Sequence, residues 1–329
     1  MSISDEFSFI NKIKPKHINH SSLITGIGDD SAVISGKKNV EQIICMDTMV
    51  EDVHFTRKTM TPFQVGYKVL AANISDVAAM GGIPTFYLVS IAIPKKWEEE
   101  ELLSIFNGME NLATQFGMDL IGGDTVSTKH QLVITVTVLG EVEKDKHLLR
   151  SNAKEDDIVF VTGTLGDSAA GLQLLLANGL EFPYELDERF LVQRHQLPTP
   201  RVEVGRILST IDRVALNDIS DGLASEVNEL AEASSVSILI DEEKIPLSKS
   251  ITNFKNQNAL EWALFGGEDF ELVGTASERS WQMIKNECEK NQINITEIGV
   301  VKNGPAQVLL RTKNGKRIPL HKKGFNHFK

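Results

Sequence analysis

Apolar and polar positions along the chain fall into two periods, and each period predicts a kind of element. Leu132–Leu139 (LVITVTVL) is a run of β-branched residues with threonine at alternate places, the signature of a strand. Thr85–Ile93, Ile158–Thr162 and Val214–Asp218 read the same way, and Glu41–Met46 (EQIICM) reads as a short strand delivering Asp47 and Thr48 at its end. Thr61-Pro62 reads as an N-cap with proline at the first helical position, opening a helix that runs to Met80 and stops at Gly81-Gly82. Leu70, Ile74 and Val77 form its apolar stripe, with Asn73 and Asp76 beside Val69 on a neighbouring face. Trp97–Phe116 is amphipathic and closed by Gly117 at C′. Helices are also expected around Glu6–Ile13, at Ser168–Ala177 and at Leu223–Ala233. This strand–helix rhythm restarts after the charged run Glu143–Asp157. It predicts an α/β chain of two domains, residues 1–147 and 148–329.

Composition sharpens this only by exclusion. At 329 residues, 41% hydrophobic and 24% charged, the chain has the make-up of a soluble two-domain protein. Its net charge of −11 argues against general nucleic-acid binding, which needs lysine and arginine to neutralise phosphates. No apolar stretch approaches the roughly 18 residues that span a bilayer, and Met1–Ile10 lacks a signal-peptide pattern. Cys45 and Cys288 lack CxxC or histidine partners, so reduced core thiols and a cytoplasmic location are expected.

The polar residues that break the apolar segments carry the chemistry. Gly26-Ile27-Gly28-Asp29-Asp30-Ser31 reads as a tight turn aiming aspartates outward. Asp47, Asp76, Asp124, Asp218 and Asp221 likewise sit at edges of apolar segments. Carboxylates so placed recur where oxygen ligands hold hard cations, although each also has a bland reading as a turn or solvated edge. A carboxylate on so apolar a helix as that of Asp76 needs a cation or strong donors. Asp221 could cap the following helix, whereas Asp218 has no capping role. In Gly122-Gly123-Asp124-Thr125 two glycines permit close approach and two side chains supply oxygens. Gly163-Thr164-Leu165-Gly166-Asp167 is similar to a phosphate-cradling turn, but neither GxxxxGK[ST] nor GxGxxG occurs. Arg150 is the one obvious guanidinium in the charged run that could reach a phosphate. Several carboxylates in one cleft would reject phosphate without metal and hold it with Mg²⁺. These features favour Mg²⁺-dependent phosphoryl transfer, with a non-catalytic cation-binding protein as the alternative.

The motifs GIGDDSAV (26–33), DTMVEDVHF (47–55), ANISDVAAMGG (72–82), LIGGDT (120–125), TGTLGDSAAGL (162–172), DISDGL (218–223), WALFGGEDFEL (262–272) and GFNHF (324–328) run in one order across nearly the whole chain. In this the sequence resembles the thiamine-monophosphate kinase family, of the superfamily of aminoimidazole ribonucleotide synthetase and selenophosphate synthetase. The resemblance implies an N-terminal domain whose strands form a barrel in a homodimer, a C-terminal α/β domain, and conversion of ATP and thiamine phosphate to ADP and thiamine diphosphate. It implies Mg²⁺ at Asp30, Asp47, Asp76, Asp124, Asp218 and Asp221. ATP would be contacted by Gly123, Asp124, Arg150 and Ser220, and thiamine phosphate by His54, Glu268 and Phe325. Three positions depart from the family pattern: Cys45 and Met46 precede Asp47 where hydroxyl residues are usual, Asp52 stands where glycine is common, and Phe325 replaces a frequent tyrosine. A selenophosphate-forming enzyme would carry its reactive cysteine in a glycine-rich N-terminal loop, unlike Cys45. A cyclo-ligase would not need the DTMVEDVHF and GFNHF pairing.

Overall fold

Alternation turns into strands wherever every second side chain can be buried on one face. In the structure, a computed structural model describing residues 12–25, 33–254 and 258–323, Ile134, Val136, Val138, Gly140 and Val142 are buried while the residues between them stay half-buried. The chain divides into two compact units, Met1–Val77 with Ile83–Asp145, and Ala78–Gly82 with Lys146–Lys329.

The first unit begins with a small ladder of β1 (Leu23–Thr25) and β2 (Val33–Ile34). Strand β3 (Val40–Val50), helix α1 (Pro62–Ala79), β4 (Ile83–Pro94), helix α2 (Glu99–Phe116), β5 (Asp119–Thr128) and β6 (Val133–Glu143) follow. Four of these strands form a sheet in the order β3-β6-β4-β5. Strand β6 is antiparallel to both neighbours, whereas β4 and β5 are parallel, which α2 makes possible by carrying the chain across. Helix α1 begins as its sequence predicts: Gln64 N–H donates to Thr61 Oγ1 at 3.3 Å and Thr61 N–H to Gln64 Oε1 at 2.8 Å, a reciprocal cap. Helix α2 ends as predicted at Gly117, whose φ of 65° only glycine adopts cheaply. It starts two residues later than expected, because Glu98 and Glu101 form the capping box and Trp97 is buried ahead of it. The Glu6–Ile13 expectation falls largely outside the described residues.

One local expectation is corrected and another is given its element. Asp47 and Thr48 lie within an eleven-residue strand rather than at the end of a short one, with Asp47 opposite Val136. The Gly122-Gly123 pair, expected to allow close approach, lies in strand, in parallel register with Leu88 and Val89. Pairing of β3 with β6 and of β5 with β4 satisfies the backbone along these stretches, and that outweighs the turn preference of Gly and Asp.

The second unit contains β7 (Ile158–Thr162), α3 (Asp167–Asn178), α4 (Leu186–Gln196), α5 (Val202–Ser209), β8 (Val214–Asp218), α6 (Leu223–Ser234), β9 (Ser237–Asp241), α7 (Lys249–Asn253), α8 (Ala259–Phe265), β10 (Leu272–Ala276), α9 (Glu278–Lys290), β11 (Ile295–Lys302), β12 (Gln307–Arg311) and β13 (Arg317–Pro319). Its seven-stranded sheet runs β13-β12-β9-β11-β7-β10-β8. One core gathers Val159, Val161 and Val273 with Val227, Leu230 and Ala231 of α6. A second gathers Phe160 and Leu216 with Val204 and Leu208 of α5 and with Trp281 and Ile284 of α9, and a third gathers Leu174 and Leu175 of α3 with Leu191 of α4 and Ile251 of α7. Successive residues of β7 thus enter different cores, so the strand is apolar throughout rather than alternating. Strands β7 and β8, on either side of antiparallel β10, end in Thr162 and Asp218, and the candidate site of this unit begins there.

Candidate active site

In the first unit the candidate residues belong to β3, α1 and β5. Period-two geometry places Cys45 and Asp47 on the same face of β3 as buried Ile43 and Met49. Ile44 and Met46 point the other way and are 67% and 64% exposed. Met46 therefore turns away from Asp47, which leaves Cys45 as its neighbour. On α1 every residue from Val65 to Ala79 is buried except Asp76, which is half-buried. Burial pushes the Asp47 carboxyl up from its ordinary value, opposed first by a hydrogen bond with Asp76 and then by the charge of His54. Cys45 donates to the Asn73 carbonyl oxygen at 3.3 Å. Burial, then the charges of Asp76 and Asp47, pushes this thiol far above its usual range, so it stays neutral. The side-chain oxygen of Asn73, one helical turn before Asp76, is buried without a hydrogen-bond partner.

Asp124 lies on the exposed stretch of β5, opposite Ser90. Beside it, a Cβ on Gly123 would stand 1.9 Å from the Val89 carbonyl oxygen, so the pairing of β5 with β4 itself requires glycine there. His54 is held at the end of β3, where Val50 N–H donates to its Nδ1 at 3.0 Å. That acceptor role assigns the imidazole proton to Nε2. The turn before it has Asp52 at φ 68°, the left-handed conformation that a glycine would adopt freely and an aspartate tolerates. Glu51, which the sequence did not single out, anchors this turn. Its buried carboxylate accepts from Trp97 Nε1 at 3.1 Å, Leu132 N–H at 3.0 Å and Lys96 Nζ at 2.8 Å.

In the second unit the candidates cluster where β8 and β10 meet their loops. Asp218 ends β8 and is buried, Ser220 is half-buried and Asp221 is exposed. Asp221 does not cap α6: the N-cap is Gly222, and it is Glu226 that reaches back to accept from Asp221 N–H at 3.0 Å and from Ser220 Oγ at 3.3 Å. Glu226 also accepts from Asn217 Nδ2 at 2.5 Å, and Asn217 Oδ1 accepts from Arg150 Nε at 2.9 Å. Arg150 pairs in addition with Glu229 at 3.0 Å. Burial first, then the charge of Asp218 and further those of Glu229 and Asp221, raises the Glu226 carboxyl to about 8.

Glu268 joins the same cluster through its backbone, its N–H donating to the Ser220 carbonyl oxygen at 2.7 Å. It lies in a strained loop, with Glu268 at φ 66° and Phe270 at φ 50°. Its carboxylate stands 3.5 Å from Nδ1 of buried His195, which is 3.1 Å from Ser168 Oγ. The following residues brace the loop. Asp269 accepts from Gly166 N–H at 2.6 Å and Ser168 N–H at 3.1 Å. The glycine-rich turn that was likened to a phosphate cradle is therefore occupied by the protein's own carboxylate, because the start of α3 attracts whatever anion the fold brings there. Gly166, at φ 84°, leaves no room for a Cβ, which would lie 2.6 Å from Ala263 N. Burial raises the Asp269 carboxyl to about 7 against the pull of Arg194 and these two amides. Glu271, fully buried, is held by Arg194 at 2.9 Å, by Thr162 Oγ1 at 2.6 Å and by a two-point pair with Arg201.

The expected site residues thus form two groups, Asp47, His54, Asp76, Gly123 and Asp124 in one unit and Arg150, Asp218, Ser220, Asp221 and Glu268 in the other. Asp30 and Phe325 lie outside the described residues. Among the described residues no three His, Cys, Asp or Glu side chains stand in cation-holding geometry. What the structure brings together is the Asp47–Asp76 pair and the acids around Glu226. Their donors fit a hard divalent cation: they are oxygens, they carry surplus negative charge, and the neighbouring thiol is neutral. Among the described residues no helix is long and apolar enough to cross a membrane.

Comparison with known proteins gives the class first. Residues 28–142 match the family model of the AIR synthase related protein N-terminal domain, and residues 154–310 match that of its C-terminal domain. Over 326 residues the chain is 53% identical to thiamine-monophosphate kinase of Bacillus subtilis (strain 168), covering 99% of this chain and 100% of that one. The crystal structure of thiamine-monophosphate kinase from Stenotrophomonas maltophilia K279a superposes with a TM-score of 0.85 at 32% identity, covering 97% and 99% of the two chains. AaThiL complexed with AMPPCP and TMP superposes with a TM-score of 0.78 at 35% identity, covering 98% and 97%. The chain belongs to the thiamine-monophosphate kinase family.

Proposed function

We propose that this enzyme moves the γ-phosphoryl group of ATP directly onto the phosphate of thiamine phosphate, leaving ADP and thiamine diphosphate. The observation that carries the reading is full-length similarity to thiamine-monophosphate kinases, including a relative in complex with an ATP analogue and TMP. Asp30, Asp47, Asp76, Asp124, Asp218 and Asp221 would hold Mg²⁺, and Gly123, Asp124, Arg150 and Ser220 would meet ATP. When bound, Mg²⁺ offsets negative charge on phosphate oxygens. His54, Glu268 and Phe325 would receive thiamine phosphate. With its Nδ1 engaged by Val50, His54 offers Nε2–H to a phosphate oxygen.

The acceptor is a phosphate oxygen, anionic at neutral pH, so little proton abstraction is needed and alignment of donor and acceptor suffices. A covalent intermediate gains no support from the neighbouring groups: Cys45 is a neutral thiol, and Ser220 faces a carboxylate already engaged by two other donors. Incubation with γ-labelled ATP, Mg²⁺ and thiamine phosphate should yield labelled thiamine diphosphate, and without acceptor no label should remain on denatured protein. Label on the protein that acceptor discharges would replace direct transfer by a two-step route. Absence of thiamine diphosphate would remove the activity itself.

Two further points belong to this reading. A homodimer closing the β3–β6–β4–β5 sheet into a barrel is supported by the exposed apolar face of β3 at Ile44 and Met46. A cytoplasmic location is supported by the missing membrane-length helix among the described residues and by the two unpaired cysteines. His54→Ala is expected to raise KM for thiamine phosphate at least about tenfold, the loss of one hydrogen bond to a charged group, with a smaller effect on KM for ATP. Equal effects on both substrates, accompanied by a lower melting temperature, would make His54 a structural residue of the β3 turn.

A further inference from the structure

We propose that Asn217 and Glu226 form a positioning pair that locks Arg150 and the Ser220–Asp221 turn into one arrangement for the nucleotide. The proposal rests on the reading of Arg150 and Ser220 as ATP contacts and adds two residues that the motifs did not mark. Both are almost fully buried, at 2% and 3% exposure. Every polar atom of the pair has an assignment. Asn217 gives its amide hydrogens to Glu226 Oε2 at 2.5 Å and, more weakly, to Glu229 Oε2 at 3.4 Å, while its oxygen takes Arg150 Nε at 2.9 Å. The other oxygen of Glu226 takes Asp221 N–H at 3.0 Å and the Ser220 hydroxyl at 3.3 Å. The chain Arg150–Asn217–Glu226–Ser220/Asp221 therefore has a fixed direction of donation. With its proton directed inward to Glu226, Ser220 turns oxygen lone pairs outward. Arg150, half-exposed at 52%, has its Nε and Nη1 fixed from behind by Asn217 and Glu229.

This direction of donation supplies the test. In Glu226→Gln one end of the new amide must face a donor: with its oxygen toward Asp221 N–H its nitrogen meets Asn217 Nδ2, and the flipped amide meets Asp221 N–H instead. In Asn217→Asp the new carboxylate still accepts from Arg150 Nε, but it confronts Glu226. The double variant Asn217→Asp/Glu226→Gln restores a donor–acceptor pair, keeps the acceptor for Arg150, and leaves the number of acidic side chains unchanged. The contact to Glu229, 3.4 Å from Asn217 Nδ2, becomes one between two carboxylates, which sets the part of the affinity that the double variant does not recover. Binding of a non-hydrolysable ATP analogue with Mg²⁺ should weaken by about tenfold or more in each single variant, the scale of a buried unsatisfied polar group. KM for thiamine phosphate should stay within about twofold. The double variant should recover most of the analogue affinity, which a purely structural role would not produce.

Unchanged analogue binding in the single variants would overturn the proposal. So would a double variant as weak as the two defects multiplied, or parallel losses for both substrates that follow the urea midpoint. Analogue binding reports on the pair, and formation of thiamine diphosphate by the wild type reports on the functional reading. If the wild type binds the analogue yet makes no thiamine diphosphate, the reading fails while the binding cycle still decides the pair.

Discussion

Replacing Glu271 by alanine is expected to destabilise the second unit by about 3–5 kcal/mol, the cost of removing one partner from a buried ion pair and leaving its counter-charge uncompensated. Arg194 and Arg201 both converge on this carboxylate, and their side chains are only 12% and 28% exposed. Loss of Glu271 would leave two guanidiniums near each other, together with a Thr162 hydroxyl that bridges Glu271 and Leu272 N–H. Burial alone would raise the Glu271 carboxyl. The charge and hydrogen bonds of Arg201, followed by Arg194 and Thr162, more than reverse this, so its folded-state pKa lies below the usual 4.5. The sign follows from proton linkage. The stabilisation is present in full above the unfolded-state value and is lost as pH falls below about 4.5 through the folded-state value. Urea unfolding at neutral pH should show the midpoint drop, and a series from pH 6 to pH 3 should show a shallower acid loss in Glu271→Gln than in the wild type. An unchanged neutral midpoint in Glu271→Ala would mean that the arginines find other partners at no cost.

Asp76→Asn and Asp124→Asn should each lower turnover by about 10²–10³-fold, a loss of roughly 3–4 kcal/mol of transition-state stabilisation. The amide keeps the size of the carboxylate and removes the charge that a cation requires. For Asp76 the structure adds that the amide of Asn can keep donating to Asp47, whose carboxyl the wild-type hydrogen bond already favours against burial. The folded state of Asp76→Asn should therefore be at least as stable as the wild type while activity collapses. For Asp124, on an exposed strand, stability should hardly change. Steady-state rates across a Mg²⁺ titration, read beside thermal melts, separate the two effects. A variant with wild-type rate at limiting Mg²⁺ would not have lost a ligand.

The chain's periodic stretches were legible because their burial is one-sided or complete. The bounds of β7 and β8, the start of α1 and the end of α2 follow from local residues alone. Less legible were features decided by distant partners. Gly122-Gly123 shows glycines for a close approach but not that β4 is what approaches, and the start of α3 looks like an anion site until Asp269 arrives from a hundred residues away. The motif carboxylates could be recognised by position in the sequence. Glu226, Asn217, His195 and Glu271 could not, since each acts on a residue whose proximity only the fold creates. A faint signal existed at Glu226, an acid next to Val227 and three residues after Leu223, an anomaly like that of Asp76.

The fit of Gly123 against the Val89 carbonyl bears on how this stretch can change over evolutionary time. A side chain at that position would collide with the backbone of β4 before it met any ligand. The Gly-Asp pair at 123–124 is therefore held from two directions at once, the glycine by the strand behind it and the aspartate by whatever chemistry lies in front. Drift in substrate preference has to route around this dipeptide. It can act through the turn that carries His54 or the loop that carries Glu268, whose conformations are set by side chains and can be reset by them.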